Sequence, residues 1–303
     1  MPVSPATTIC FRLSAVRRPR TRSPIARASC SSMSLDPSSG AWLTEMLRRG
    51  GGRVGRLGSM ARRDTACQPP YILVLWDIDH TLIETRGVGR AIYARVFPDV
   101  TGKPLQHLAE VAGRTELVIM HDTLALHDVE PTDATMRRLA AALVQGHEDA
   151  RTELATAGRV LPGAKETLAA LAADHRVHQA VLSGNLRDVS RIKLEVFGLD
   201  SYLDLASSAY GDDHTERAEL VAIAQHRATV QMGSSFDKEH TVLIGDTPKD
   251  VEAALTAGVR VIAVASGKNN ETELTKAGAS AAIADLTDTA AVVRLVTGEP
   301  NNR

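Results

Sequence analysis

The chain reads as an α/β protein: a mostly parallel sheet flanked by helices, with one helical insertion. Three observations predict this. From residue 71 onward, apolar runs of strand length alternate with amphipathic segments of helix length, the pattern of βαβ units with right-handed crossovers. The rhythm breaks once, between Gly87 and Arg159, where no convincing strand occurs. Polar strings follow several of the apolar runs, where open parallel sheets gather their ligands.

Taken in order, "YILVLWD" (71–77) is the first predicted strand. In the interrupted interval "AIYARVF", "TELVIMHDTLALH" and "ATMRRLAAALVQGHEDARTEL" read as helices, the last running through 134–154. Beyond it, "AKETLAALAADH", "LRDVSRIKLEVFG", "RAELVAIAQHRA" and "DVEAALTAG" repeat apolar residues at three and four, as helices packed on a sheet do. The strands predicted between them are 177–184, 204–211, 240–246 and 259–266. Gly198 and Gly258 stand where helix C-caps are expected, and Pro162 and Pro248 stand near helix starts.

Composition narrows the classes of function. The 303 residues are 44% hydrophobic, enough for one large core. Residues 1–70 hold 12 Arg and 3 acids, which leaves 23 basic and 33 acidic residues in the body. An acidic body argues against nucleic acid as a partner, since phosphate-backbone affinity rests on clustered Lys and Arg. Cys10, Cys30 and Cys67 all precede the body, which therefore has no thiol for a disulfide, a zinc site or nucleophilic attack. Residues 1–70 are expected to be a disordered or leader segment in a cytoplasmic protein. The six Arg and absence of acids in residues 1–35 give the alternative of an organellar transit peptide. No apolar run reaches the ~20 residues of a membrane helix, so no membrane partner is expected.

The strand ends carry the chemistry. The first delivers Asp77, Asp79 and Thr81; the second Ser183, Gly184 and Asn185; the fourth Gly245, Asp246, Thr247 and Asp250. If the first strand continued past its apolar run, Asp77 and Asp79 would project to one side and His80 to the other. Carboxylates that close repel unless a cation or proton separates them. With Asp246 and Asp250 they make an all-oxygen cluster suited to a hard ion, and Mg²⁺ is the ion expected. Singly, each residue has a plainer use: Asp as turn former or N-cap, Ser183 and Asn185 as caps, Lys193 as a solvated helix residue. Together, at the ends of neighbouring strands, they form one constellation.

"DIDHT", "LSGN" and "IGDTPKD", in that order, resemble the first, second and fourth motifs of the haloacid dehalogenase-like hydrolase superfamily. The resemblance covers about residues 71 to 285. The helical insertion resembles the cap of its phosphoglycolate phosphatase and beta-phosphoglucomutase branch. It implies a Rossmann-like core over 71–86 and 160–303 with a cap over 87–159. Asp77 is implied as nucleophile forming an aspartyl-phosphate, and Asp79 as general acid and then base. Mg²⁺ is implied on Asp77, Asp246 and the backbone carbonyl of Asp79, with Asp250 orienting metal-bound water. Thr81, Ser183, Gly184 and Asn185 are implied to position the phosphoryl group, and Arg114 of "GRTE" is a candidate substrate contact from the cap. The family's third motif, a Lys, has no match after the third predicted strand. Lys193 is favoured as the balancing cation, with Arg217, or the two together, the alternative.

The implied activity is Mg²⁺-dependent hydrolysis of a small phosphomonoester, phosphoglycolate-like or sugar-phosphate-like, by a monomer or homodimer. A phosphomutase of the beta-phosphoglucomutase type and a non-catalytic regulatory protein on the same fold are the alternatives. The second Asp argues against dehalogenation, which does not need it.

Overall fold

The computed structural model describes residues 71–299. The expectations for the first 70 residues lie outside the described residues. The first strand, β1 (Ile72–Trp76), is followed by the two-residue β2 (Ile83–Glu84), and then by four helices without an intervening strand. These are α1 (Val88–Thr101), α2 (Glu116–Ala125), α3 (Asp133–Asp149) and α4 (Arg151–Ala157). The chain returns through β3 (Arg159–Val160), antiparallel to β2, into α5 (Ala164–Ala172), β4 (Val177–Val181) and α6 (Arg187–Phe197). It ends in α7 (Arg217–Met232), β5 (Thr241–Gly245), α8 (Pro248–Ala257), β6 (Arg260–Val264), α9 (Glu271–Lys276), β7 (Ala281–Ile283) and α10 (Thr289–Thr297).

The main sheet is parallel throughout, with strand order β4-β1-β5-β6-β7. Because β1 sits between β4 and β5, the chain reverses its direction of winding there, and a crevice opens beyond the carboxyl ends of these three strands. Both faces of β1 are buried, which its unbroken apolar run requires. Val74 and Trp76 pack on one side of the sheet, and Leu73 and Leu75 on the other. The Trp76 indole N–H is satisfied inside the core by donating to Gln179 Oε1 at 3.0 Å. A third apolar cluster joins α1, α2, α3 and α4 to Leu186, Val189 and Ile192 of the α6 segment, so α6 supports both the sheet and the helical insertion.

Three expectations need correction. Residues 204–211 are not a strand; they touch the sheet at two points, the Asp204 N–H donating to the Gln179 carbonyl and Ala209 bridging to Leu182. Small, polar residues lead the side chains to compete with the ladder. Asp204 accepts from the N–H groups of Ala206 and Ser207, and Ser208 Oγ takes the Val181 N–H at 2.7 Å in place of a backbone carbonyl. The helix expected over 134–154 is broken at Ala150 (φ −90°, ψ 10°), where Arg151 turns to pair with Glu148 and with Glu195 on α6. β1 ends at Trp76 instead of running through Asp79, and His80 takes a left-handed φ of 64°. Strand alternation therefore does not govern His80, which is among the residues lining the same crevice. No described helix is long and apolar enough to cross a membrane.

Candidate active site

The strand ends converge on a cleft of about 330 Å³ whose lining includes Asp77, Asp79, Ser183, Asn185, Asp246 and Asp250. Asp77 leaves β1 held by its N–H to the Ile244 carbonyl at 2.9 Å. Asp246 follows β5 directly. Asp250 occupies the third position of α8 and completes a capping box: Thr247 Oγ1 accepts from the Asp250 N–H, and Asp250 Oδ2 accepts from the Thr247 N–H at 3.0 Å. Pro248 suits the first helical turn because that turn leaves N–H groups without helical partners. The local helix signal in "GDTPKD" thus fixes an acid at the site.

One carboxylate oxygen each from Asp77, Asp246 and Asp250 lie within 4.8 Å of one another, all three residues being buried. Arg217, at the start of α7, is the single cation among them. Its Nη2 reaches Asp77 Oδ1 at 2.7 Å, and its Nε donates to Asp250 Oδ1 at 2.9 Å. Burial, aided by the charges of Asp250 and Asp79, pushes the Asp77 carboxyl up to about 7 against the pull of Arg217. Burial and the charge of Asp77 push Asp246 up to about 8. One guanidinium is too little for three carboxylates. An oxygen-only donor set with uncompensated negative charge fits a hard divalent cation, and Asp77, Asp246 and Asp250 are the residues that could hold it.

Asp79 stands apart from this cluster. Lys193 Nζ donates to its Oδ2 at 2.6 Å, and Asn185 Nδ2 donates to the same oxygen at 2.7 Å. Lys193 also donates to Asn185 Oδ1 at 2.9 Å, closing a triangle whose third edge is the Asn185 amide. Burial alone would raise the Asp79 carboxyl, but the Lys193 charge and hydrogen bond outweigh it and hold the group below its ordinary value. The two candidate cations are divided: Arg217 pairs with Asp77 and Lys193 with Asp79. Spacing could not tell them apart, because either helix can aim one long side chain at the strand ends.

The remaining expected residues differ in placement. Ser183 Oγ accepts from the N–H and Nδ2 of Asn185, shaping the loop after β4. Gly184 is required for contact: a Cβ there would lie 2.1 Å from the Arg114 carbonyl. Thr81 is fully buried beneath the acids, with long hydrogen bonds to Asp77 (3.3 Å) and Asp246 (3.5 Å), and it does not line the cleft. The side chain of Arg114 is taken by Asp122 at 2.5 Å and by the Glu110 carbonyl. The carboxylate of Asp79 lies outside the three-acid cluster and is held by Lys193. Tyr93, Glu116, His147 and Lys268 also line the cleft, and sequence reasoning missed them. The buried face of "AIYARVF" was the available signal for Tyr93.

Residues 74–264 match the model of the haloacid dehalogenase-like hydrolase family, and the chain belongs to that family. No curated protein matches it. Among solved structures it resembles a hydrolase from Pseudomonas syringae, with 21% identity over 74% of this chain and 99% of that one, at a TM-score of 0.56. It also resembles a predicted phosphatase from Clostridium acetobutylicum, with 18% identity over 75% of this chain and 100% of that one, at a TM-score of 0.54. A third is a predicted phosphoglycolate phosphatase from Haemophilus somnus 129pt, with 17% identity over 75% of this chain and 99% of that one, at a TM-score of 0.52. These likenesses show a shared α/β fold.

Proposed function

We propose that the chain is a Mg²⁺-dependent phosphatase of small phosphomonoesters that works through an aspartyl-phosphate on Asp77. The observation that carries this reading is the partition of the two acids: Asp77 lies among carboxylates and Arg217, while Asp79 is paired with Lys193 beside the same cleft. A nucleophile and a proton carrier need such different surroundings. Membership of the hydrolase family and the names of the Clostridium and Haemophilus neighbours support phosphoryl chemistry.

In this reading Asp77 and Asp246 would hold Mg²⁺, with Asp250 at its outer edge. The ion supplies positive charge against the repulsion between a carboxylate and a phosphate. Arg217 fixes the Asp77 carboxylate and keeps one oxygen aimed along a single line of attack. Ser183, Gly184 and Asn185 supply loop donors for phosphoryl oxygens, which matters because phosphoryl transfer is mostly positioning and electrostatics. As a dianionic phosphate arrives, its charge opposes that of Lys193 and raises Asp79 toward the protonated form. Asp79 then protonates the leaving oxygen, and the resulting carboxylate draws a proton from the water that attacks the aspartyl-phosphate. Helices α1–α4 act as a cap that excludes bulk water.

Phosphate release from a panel of small phosphomonoesters, with Mg²⁺ or with EDTA, tests this. Metal-dependent release abolished by Asp77→Asn is expected. Release unaffected by EDTA or by the substitution would overturn the reading; transfer of the phosphoryl group to a sugar hydroxyl instead of water would identify a mutase.

A further inference from the structure

Three polar side chains of the helical insertion line the cleft beside Asp79 and Lys193 and take no part in the steps above: Tyr93 on α1, Glu116 on α2 and His147 on α3. They are held in place. The Glu116 N–H donates to the Gly184 carbonyl at 2.7 Å, pinning the start of α2 to the loop after β4. The Tyr93 hydroxyl donates to Glu116 Oε1. Gly146 lets α3 approach α1 closely, since a Cβ there would lie 2.6 Å from the Ile92 side chain; His147, the next residue, lines the same cleft as Tyr93.

The hydrogen-bonding sense of this group is determined by its geometry. His147 is 6% exposed, and its Nδ1 lies 2.8 Å from the Leu143 carbonyl. A carbonyl only accepts, so Nδ1 carries the proton and Nε2 presents a lone pair. Among the described residues Nε2 has no hydrogen-bond partner. Burial and the nearby Lys193 charge lower the imidazole to about 4, which keeps it neutral at physiological pH. Glu116 offers its second carboxylate oxygen, while the Tyr93 proton is already committed to the first. Lys193 is engaged by Asp79 and Asn185 and Arg114 by Asp122, while Arg90 and Lys268, which also line the cleft, are exposed side chains. Burial raises the Glu116 carboxyl, against the Tyr93 hydrogen bond and the Lys193 charge; where Glu116 and His147 face the cleft, the wall presents hydrogen-bond acceptors.

We propose that Glu116, His147 and Tyr93 form the leaving-group subsite, and that it selects esters whose leaving group presents hydroxyl donors, sugar or polyol phosphates, over esters whose leaving group carries a carboxylate. This rests on the phosphatase reading above. Hydroxyls can satisfy Glu116 and His147 together; a carboxylate there meets a like charge and a lone pair, both repulsive. Specificity would come as much from rejecting the acid as from holding the alcohol.

The test compares glycerol 3-phosphate and ribose 5-phosphate with 2-phosphoglycolate and 3-phosphoglycerate, using the full chain with Mg²⁺. kcat/KM is measured on the active protein, and binding of the same esters to the Asp77→Asn protein is measured by calorimetry. The hydroxyl esters are expected to lead by about tenfold or more in both, and Glu116→Gln to narrow the gap by about tenfold, mainly by admitting the carboxylate esters. His147→Phe should raise KM for the hydroxyl esters. A preference for the carboxylate esters, no binding of any ester, or a ratio that a folded Glu116→Gln protein leaves unchanged would overturn the proposal. Turnover without the preference rejects this subsite and keeps the phosphatase; the preference in calorimetry without turnover keeps the subsite and rejects the phosphatase.

Discussion

Asp77 and Asp79 are two residues apart and end in opposite electrical surroundings. Around Asp77, three buried carboxylates share one guanidinium, and its carboxyl is driven up. Around Asp79, one ammonium and one amide serve a single partly exposed carboxylate, and its carboxyl is driven down. The cluster around Asp77 has a deficit of positive charge; the Asp79–Lys193 pair is balanced. Only the first has reason to take up a further cation, and only the second can exchange a proton without disturbing its neighbours.

The contrast can be broken at several points. The largest effect is expected from Asp77→Asn, which should cost about 1,000-fold or more in phosphate release while circular dichroism stays unchanged. Next are the two cations, compared by urea unfolding in EDTA at pH 8. Arg217→Met strands two buried carboxylates and should cost about 3–5 kcal/mol. Lys193→Met leaves Asp79 partly in water and should cost about 1 kcal/mol. Equal losses would mean that the two halves are not electrically distinct.

A third prediction concerns pH. Asp77 and Asp246 rise from an ordinary value of 3.8 to about 7 and about 8 in the folded protein. Between those limits the folded state binds more protons than the unfolded one, so stability falls as pH rises through about 7 to 8. Metal-free protein should melt at a lower temperature at pH 9 than at pH 6, and Mg²⁺ should restore most of the difference. Titration calorimetry in two buffers should register protons released as Mg²⁺ binds near neutral pH, and a melting temperature that climbs with pH would contradict the deficit. The smallest effect is expected at Arg114. Asp122→Ala removes an exposed partner and should change stability by about 0.5 kcal/mol or less, with any change in kcat/KM confined to substrate binding.

Much of the parallel architecture was legible because β1, β5 and β6 announce themselves by unbroken apolar runs, and the acids that follow β1 and β5 stand out in polar strings. Residues 204–211 misled because Ala209 does touch the sheet, while Asp204 and Ser208 supply side-chain hydrogen bonds that replace the ladder. β7 (Ala-Ala-Ile) and the last helix, α10, went unseen: small residues at a sheet edge give little period-two signal. At the site, residues fixed by local turn chemistry could be found in sequence, as Asp250 was from the polar string that follows the strand, near Pro248 at a helix start. Residues fixed by helix packing could not. Which of Lys193 and Arg217 meets Asp77, and that Tyr93, Glu116 and His147 share one cleft, depend on how α1, α2, α3, α6 and α7 lie against one another.

The central claim, that Asp77 carries the phosphoryl group, is tested most directly with Asp79→Asn. p-Nitrophenyl phosphate needs no acid for its leaving group, so this variant should still phosphorylate Asp77 but lack the base that draws water onto the adduct. Acid quench during turnover with Mg²⁺, borohydride reduction and peptide mass spectrometry should find residue 77 converted to homoserine. Phosphate release with residue 77 unmodified, or an acyl-phosphate mapped to another carboxylate, would contradict the account.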